Sequence, residues 1–269
     1  MSKFEEFLVH FLEPKVDFPT TFGTYHLICI LLTVLVTAFL VWRFRNASDK
    51  TIRILLFAVW CTVVILEVLK QLEGSFYVDN GVPTWEYLWH YFPLQFCSTI
   101  HYTLPFIVFL PDGFLRRAFI AFFSGFSFFA GLVVMIYPGD VFCGTRFINI
   151  QTMIHHGLMV AVGILMVAHN RKHMNQRYFA GSLAIFYTLA IVALVLNEVL
   201  CEYPVNLFFI SRHYDCTLPL LSNIYKAMPY GWYLVIYFLG FTLASFLIYL
   251  AEKGILALIS KCCRKKRSA

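Results

Sequence analysis

Apolar residues run through this chain in long blocks separated by short polar breaks, and seven blocks approach the length of a membrane crossing. They fall near Tyr25–Trp42, Ile52–Leu72, Phe92–Leu110, Leu115–Tyr137, Phe147–Ala168, Phe179–Cys201 and Trp232–Ala251. About 20 mostly apolar residues in a helix cross roughly 30 Å of hydrocarbon. The pattern predicts an all-α membrane protein, a seven-transmembrane-helix bundle forming one domain over residues 1–269. The first block starts late and lacks a small-residue cleavage pattern, so it reads as a permanent helix and not a signal peptide. The longest connection, Glu202–Gly231, carries its own apolar stretch at Val205–Ile210, which is expected to fold back against the bundle.

Composition sharpens the class. Hydrophobic residues make up 60% of the 269 and charged residues only 13%, more apolar surface than one soluble core of this size can hide. The net charge of +6 does not point to nucleic acid. The basic residues sit at helix ends and in the tail, where they anchor helices and meet anionic lipid. Membrane lipids are the expected partners, and the expected location is a multi-pass place in a membrane. Fifteen of the 21 Lys and Arg collect on one side: Arg43 to Arg53, Arg116 and Arg117, Arg171 to Arg177, and the tail from Lys253 to Arg267. Lys3, Lys15, Arg146, Arg212 and Lys226 fall on the other. Basic loops stay in the cytoplasm, so the N-terminus is expected outside and the C-terminus in the cytoplasm.

Ionisable groups inside a span cost about 2.5–3.5 kcal/mol each on insertion scales, so they need partners or a task. Here they gather at one depth. The second block ends with Glu67, Lys70 and Gln71, and the third begins with His90, Gln95, Cys97 and His101. The fifth carries Asn149, Gln151, His155 and His156 in its first half, and the sixth finishes with Asn197, Glu198, Cys201 and Glu202. Helical neighbours three and four apart share a face, which aligns Glu67 with Lys70 and Gln71, Cys97 with His101, and Gln151 with His155. These stripes predict a polar cavity in the outer half of the membrane.

A thiol beside an imidazole can serve as a nucleophile, so Cys97 with His101 or His156 is the candidate chemistry. The plainer alternative is that a buried Cys is a small hydrophobe. Glu67 and Lys70 equally suit an ion pair that fixes the second helix, since removing one partner strands a charge. His155 and His156 lie about 100° apart on a helix, so one is expected to line the cavity and the other to be satisfied by a neighbour. The eight cysteines show no CxxC or Cys/His spacing, and neither a metal nor a cofactor is expected. Cys143, Cys201 and Cys216 lie near the outer face, where two of them could pair. Cys262-Cys263 before Arg264-Lys265-Lys266-Arg267 has the setting of a juxtamembrane acylation site or a basic, membrane-hugging end.

Several short motifs, in order along nearly the whole chain, carry a resemblance. They are Phe22-Gly23-Thr24-Tyr25-His26-Leu27, Glu67, Phe92-Pro93-Leu94-Gln95-Phe96-Cys97-Ser98, Gln151 to His156-Gly157, Asn206-Leu207-Phe208-Phe209 and Pro229-Tyr230-Gly231-Trp232-Tyr233. The chain resembles the YwaF family of bacterial integral membrane proteins, which would imply a bacterial cell membrane. That family reads Leu-Pro-Leu-His-Leu-Cys at the third span; here Phe92 stands at the first Leu and Gln95 at the His. The family is in turn similar to a eukaryotic transmembrane enzyme assigned as an ether-phospholipid cysteine acyltransferase. The resemblance implies Cys97 as a catalytic nucleophile and His156 as its base, with a phospholipid substrate. Glu67, Lys70, Gln95, His101, Gln151, His155, Asn197 and Asn206 are the expected positioning residues. A solute transporter or ligand-binding protein, or an accessory subunit, would use the same polar stripes differently; fold likeness alone does not decide among them.

Overall fold

The computed structural model describes residues 2–12, 16–80, 82–139, 141–171 and 175–268, with side chains as far as Leu258. Among these residues the fold is all-α apart from one small hairpin. A short helix, α1 (Lys3–Leu12), precedes α2 (Thr24–Phe44) and α3 (Asp49–Glu73). Strands β1 (Phe76–Asp79) and β2 (Val82–Trp85) pair antiparallel, Asp79 opposite Val82. Then come α4 (Thr99–Phe109), α5 (Phe114–Phe122), a π-helical turn (Phe123–Ser127), α6 (Phe128–Ile136), α7 (Arg146–His169) and α8 (Gln176–Val199). A seven-residue α9 (Leu221–Ala227) leads into α10 (Tyr230–Ser268).

Among the described residues, six helices are long and apolar enough to cross a membrane: α2, α3, the continuous α5–α6 rod, α7, α8 and α10. The third predicted block differs. Its helical part spans only Phe96–Phe109, about 21 Å at 1.5 Å per residue and short of the hydrocarbon thickness. Pro93 has no N–H to give a helix, and the residues before it close over the end of α3. There Leu88 N–H donates to Gly74 O (2.8 Å) and Tyr91 O accepts from Gln71 Nε2 (2.8 Å).

Two helix starts carry side-chain caps. Ser48 Oγ accepts from Thr51 N–H at α3, and Asn175 Oδ1 accepts from Tyr178 N–H at α8 (3.1 Å), each satisfying a donor without an intrahelical partner. The central helix is α7: 72% of its apolar window is buried inside the protein, against 6% for α2. It packs on α2, α3, α6 and the π turn. Two glycines make this close. A Cβ on Gly157 would sit 2.7 Å from Thr33 Oγ1, and one on Gly131 of α6 would sit 2.9 Å from the His156 carbonyl. Small residues of this kind let membrane helices approach closely.

The ends of the bundle differ. At one end Arg116 bonds Asp49 (2.7 Å) and the Ile107 carbonyl (2.8 Å), joining α3, α4 and α5. At the other, Leu8 of α1 is buried with Phe76, Phe147 and Ile148. There α1 leaves Phe4, Phe7 and Phe11 exposed, an apolar surface suited to the bilayer interface. The connection after α8 also folds inward, with Val205, Leu207, Phe208 and Ile210 all at 1% exposure or less. Asn197 holds it, donating to Leu207 O (3.0 Å) and accepting from Leu207 N–H (2.8 Å). Phe208 and Phe209 have φ of 56° and 58°, a conformation that costs a bulky residue of order 1–3 kcal/mol. Tyr233 and Tyr230 hydroxyls donate to Phe209 O and Ile210 O (2.6 Å each), keeping it in place.

Candidate functional site

The polar residues of α3, α4 and α7 meet near the hairpin end. Glu67 accepts from Lys70 Nζ (3.1 Å) and Gln71 Nε2 (2.6 Å) on its own helix. Gln71 is held in turn by the Tyr87 hydroxyl, which donates to its Oε1 (2.7 Å). Across the helix pair, Glu67 Oε2 lies 4.0 Å from His101 Nε2. His101 is bracketed by two carbonyls, Ser98 O at Nδ1 (3.0 Å) and Val63 O at Nε2 (3.2 Å). A neutral ring can donate to only one of them. Which of the two it serves depends on the tautomer, and the Glu67 carboxylate lies beside the ring on the Nε2 side.

The two histidines of α7 come next, and both are buried. His155 stacks obliquely on His101, ring centres 5.1 Å apart, and its Nε2 faces the Cys97 carbonyl at 3.1 Å. His156 Nδ1 faces Thr152 O at 2.7 Å on its own helix. A carbonyl only accepts, so each of these nitrogens carries the proton and the other nitrogen of a neutral ring is bare. Those bare atoms, His155 Nδ1 and His156 Nε2, are buried without a hydrogen-bond partner. Leaving a buried polar atom unsatisfied costs about 1–3 kcal/mol, and here two such atoms fall on adjacent residues of α7.

Cys97 lies in the 3₁₀ turn Phe96–Ser98 that opens α4. Its carbonyl is tied to His155, while no hydrogen bond joins its thiol to either α7 imidazole. Gln95, just before it, donates from Nε2 to Asn206 O (2.9 Å), and its Oε1 is buried and unpaired. Asn206 donates to Tyr214 O and Asp215 O and accepts from Ser211 N–H. Asn206 and Asn197 are therefore loop clamps, one bond or more removed from the histidines. Gln151 is buried and receives only a long contact from Thr152 (3.4 Å). Cys143, Cys201 and Cys216 are free thiols, as are Cys29, Cys61 and Cys97. The side chains of Cys262 and Cys263 lie outside the described residues.

Tyr87 and Tyr91, which are not among the expected positioning residues, close the cluster around Gln71. The signal was the hairpin before them: Asn80-Gly81 between Phe76-Tyr77-Val78 and Val82-Pro83-Thr84-Trp85 is a strong two-residue turn pattern. Asn80 has the φ of 48° such a turn requires.

A family model described as the TMEM164 family matches residues 21–250. That interval begins just before α2 and reaches well into α10, so it contains every residue of the cluster. No curated protein and no solved structure matches the chain. The resemblance to the bacterial YwaF proteins rests on the short motifs alone. The chain belongs to the TMEM164 family.

Proposed function

We propose that this member of the TMEM164 family is a multi-pass membrane enzyme that transfers an acyl group between lipids through a thioester on Cys97. In this reading the short Phe96–Phe109 helix completes a seven-helix bundle, with the N-terminus outside and the polar cluster forming a cavity in the outer half of the bilayer. The observation that carries it is the pair of buried, unpartnered imidazole nitrogens on adjacent residues, His155 Nδ1 and His156 Nε2, with the His155 ring bonded to the Cys97 carbonyl and 5.1 Å from the His156 ring.

His156 Nε2 takes the proton of the Cys97 thiol as the sulfur attacks the ester carbonyl of a donor phospholipid. The C–S bond forms, the C–O bond breaks, and the lysolipid oxygen leaves with the proton from His156. The hydroxyl of an acceptor lysolipid then gives its proton to His156 and displaces the sulfur, restoring the thiol. His155 holds the Cys97 turn through the Cys97 carbonyl and acts as a positioning residue. Glu67 and Lys70 supply a fixed ion pair for the headgroup, with the His101 imidazole beside it. Catalytic hydrogen bonds are commonly long until substrate is bound, which suits a thiol that does not yet touch its base.

The test labels purified protein near neutral pH with a maleimide carrying an acyl chain and follows each cysteine by peptide mass spectrometry. Cys97 should react faster than Cys29 or Cys61, His156→Gln should slow it, and His155→Gln should slow it less. Cys97 labelling no faster than Cys61, or indifferent to His156, would refute the nucleophile and leave the cluster as a binding site for a polar solute.

A further inference from the structure

Apart from the histidine cluster, α4, α5 and α8 leave an open groove of about 730 Å³, within the range of small-ligand sites. Its floor is small, with Ala118 of α5 against Ala180, Gly181 and Ala184 of α8. A Cβ on Gly181 would come 2.7 Å from the Ala118 Cβ, so the two helices touch there and the groove is the shallow trough above them. Phe106 and Phe119, stacked 4.4 Å apart, form part of the wall.

One end of the trough is basic. The Arg177 guanidinium lies over the Phe114 ring, 5.1 Å from its centre. Arg116 and Arg117 nearby are balanced by Asp49 and Asp112, at 2.7 Å each. Arg177 has no carboxylate partner among the described residues. The trough runs from Arg177 to Leu189 along α8, twelve residues or about 18 Å. One leaflet contributes about 15 Å of the hydrocarbon core. A transmembrane helix seated there would need the full thickness; an acyl chain needs half.

We propose that this groove binds one acyl chain of an anionic phospholipid, with the lipid phosphate held by Arg177. The guanidinium fork suits phosphate, and an unbalanced basic residue at the membrane surface favours an anionic over a zwitterionic lipid by about fivefold. This site is independent of acyl transfer at Cys97: it is read from a different face and tested by binding alone.

The experiment is native mass spectrometry of the full chain, delipidated in detergent and given equal dioleoyl phosphatidylglycerol and dioleoyl phosphatidylcholine. The wild type should retain phosphatidylglycerol about fivefold more than phosphatidylcholine. Arg177→Gln should bring the two to parity, and Arg177→Lys should keep part of the preference. Ala184→Leu, which fills the trough, should reduce retention of both. Arg177 and Ala184 are exposed to the lipid side, so the variants are expected to elute as the wild type does on size exclusion. Equal retention by the wild type, a preference that survives Arg177→Gln, or retention indifferent to Ala184→Leu would each overturn the proposal. So would a dimer that Ala184→Leu dissolves, which would give the trough to a second copy of the chain.

Discussion

Asn197→Ala should cost more stability than its size suggests. The side chain is 2% exposed and is the partner of both backbone groups of Leu207, at 2.8 and 3.0 Å. Truncation leaves a buried N–H and a buried C=O, each at about 1–3 kcal/mol, or about 2–6 kcal/mol together. It also releases a turn whose Phe208 and Phe209 are held at positive φ. For a chain of this size a kcal/mol is worth roughly 2–4 °C, so thermal unfolding in detergent, followed by tryptophan fluorescence, should fall by about 4–24 °C. The control is Thr62→Ala, which removes an exposed hydroxyl bonded to Ala58 O (3.0 Å) and should shift the midpoint by less than about 2 °C. Asn197→Asp still accepts from Leu207 N–H but sets a carboxylate against the carbonyl, so it should fall with Ala. A midpoint for Asn197→Ala equal to that of Thr62→Ala would show that the clamp carries no strain and that the inward loop holds itself.

Lys70→Met alone should lower folded yield in detergent more than Lys70→Met with Glu67→Gln, because the single change strands a buried charge; equal yields would mean the pair is not coupled. Reporter fusions after Asn46 and after Asn170 should report cytoplasm and one after Asn80 should report outside. A cytoplasmic Asn80 fusion would reverse the orientation and put the histidine cluster in the inner half. Asn80→Val should destabilise the hairpin, since a β-branched residue resists the φ of 48° found there. It should also loosen the Tyr87–Gln71 contact, seen as faster amide exchange over 85–91.

Long apolar periodicity gave the helices away. The predicted blocks near Ile52–Leu72 and Phe147–Ala168 lie inside α3 (Asp49–Glu73) and α7 (Arg146–His169), since residues that must face lipid or core over a full crossing leave little room for ambiguity. The i,i+3 and i,i+4 spacing also placed Glu67, Lys70 and Gln71 on one bonded face. What spacing could not supply was rotation between helices. It could not say that His155 rather than His156 would reach the Cys97 carbonyl, because that depends on how closely α7 meets α4. Nor did apolar content reveal that Phe92–Leu110 forms a helix only from Phe96. The residues up to Gln95 were recruited by bonds from Gly74, Gln71 and Asn206, groups distant in sequence. The ten residues of α1 are too few to cross a bilayer, and their only mark in the pattern is Phe4, Leu8 and Phe11 at helical spacing.

The π turn at Phe123–Ser127 has a consequence for how the rod serves its neighbours. An α-helix advances 100° per residue, and a π turn takes in one residue more than the regular coil, so the lower and upper halves are out of phase by about that angle. Before the turn α5 lies against α8; after it α6 lies against α7. One unbroken span thus behaves as two docking surfaces with a phase shift built between them. Removing Gly125 would restore a regular helix of nearly the same length and hydropathy, still able to cross the bilayer. It would aim Gly131 away from the His156 carbonyl or Ala118 away from Gly181, and the chain could keep one of those contacts but not both.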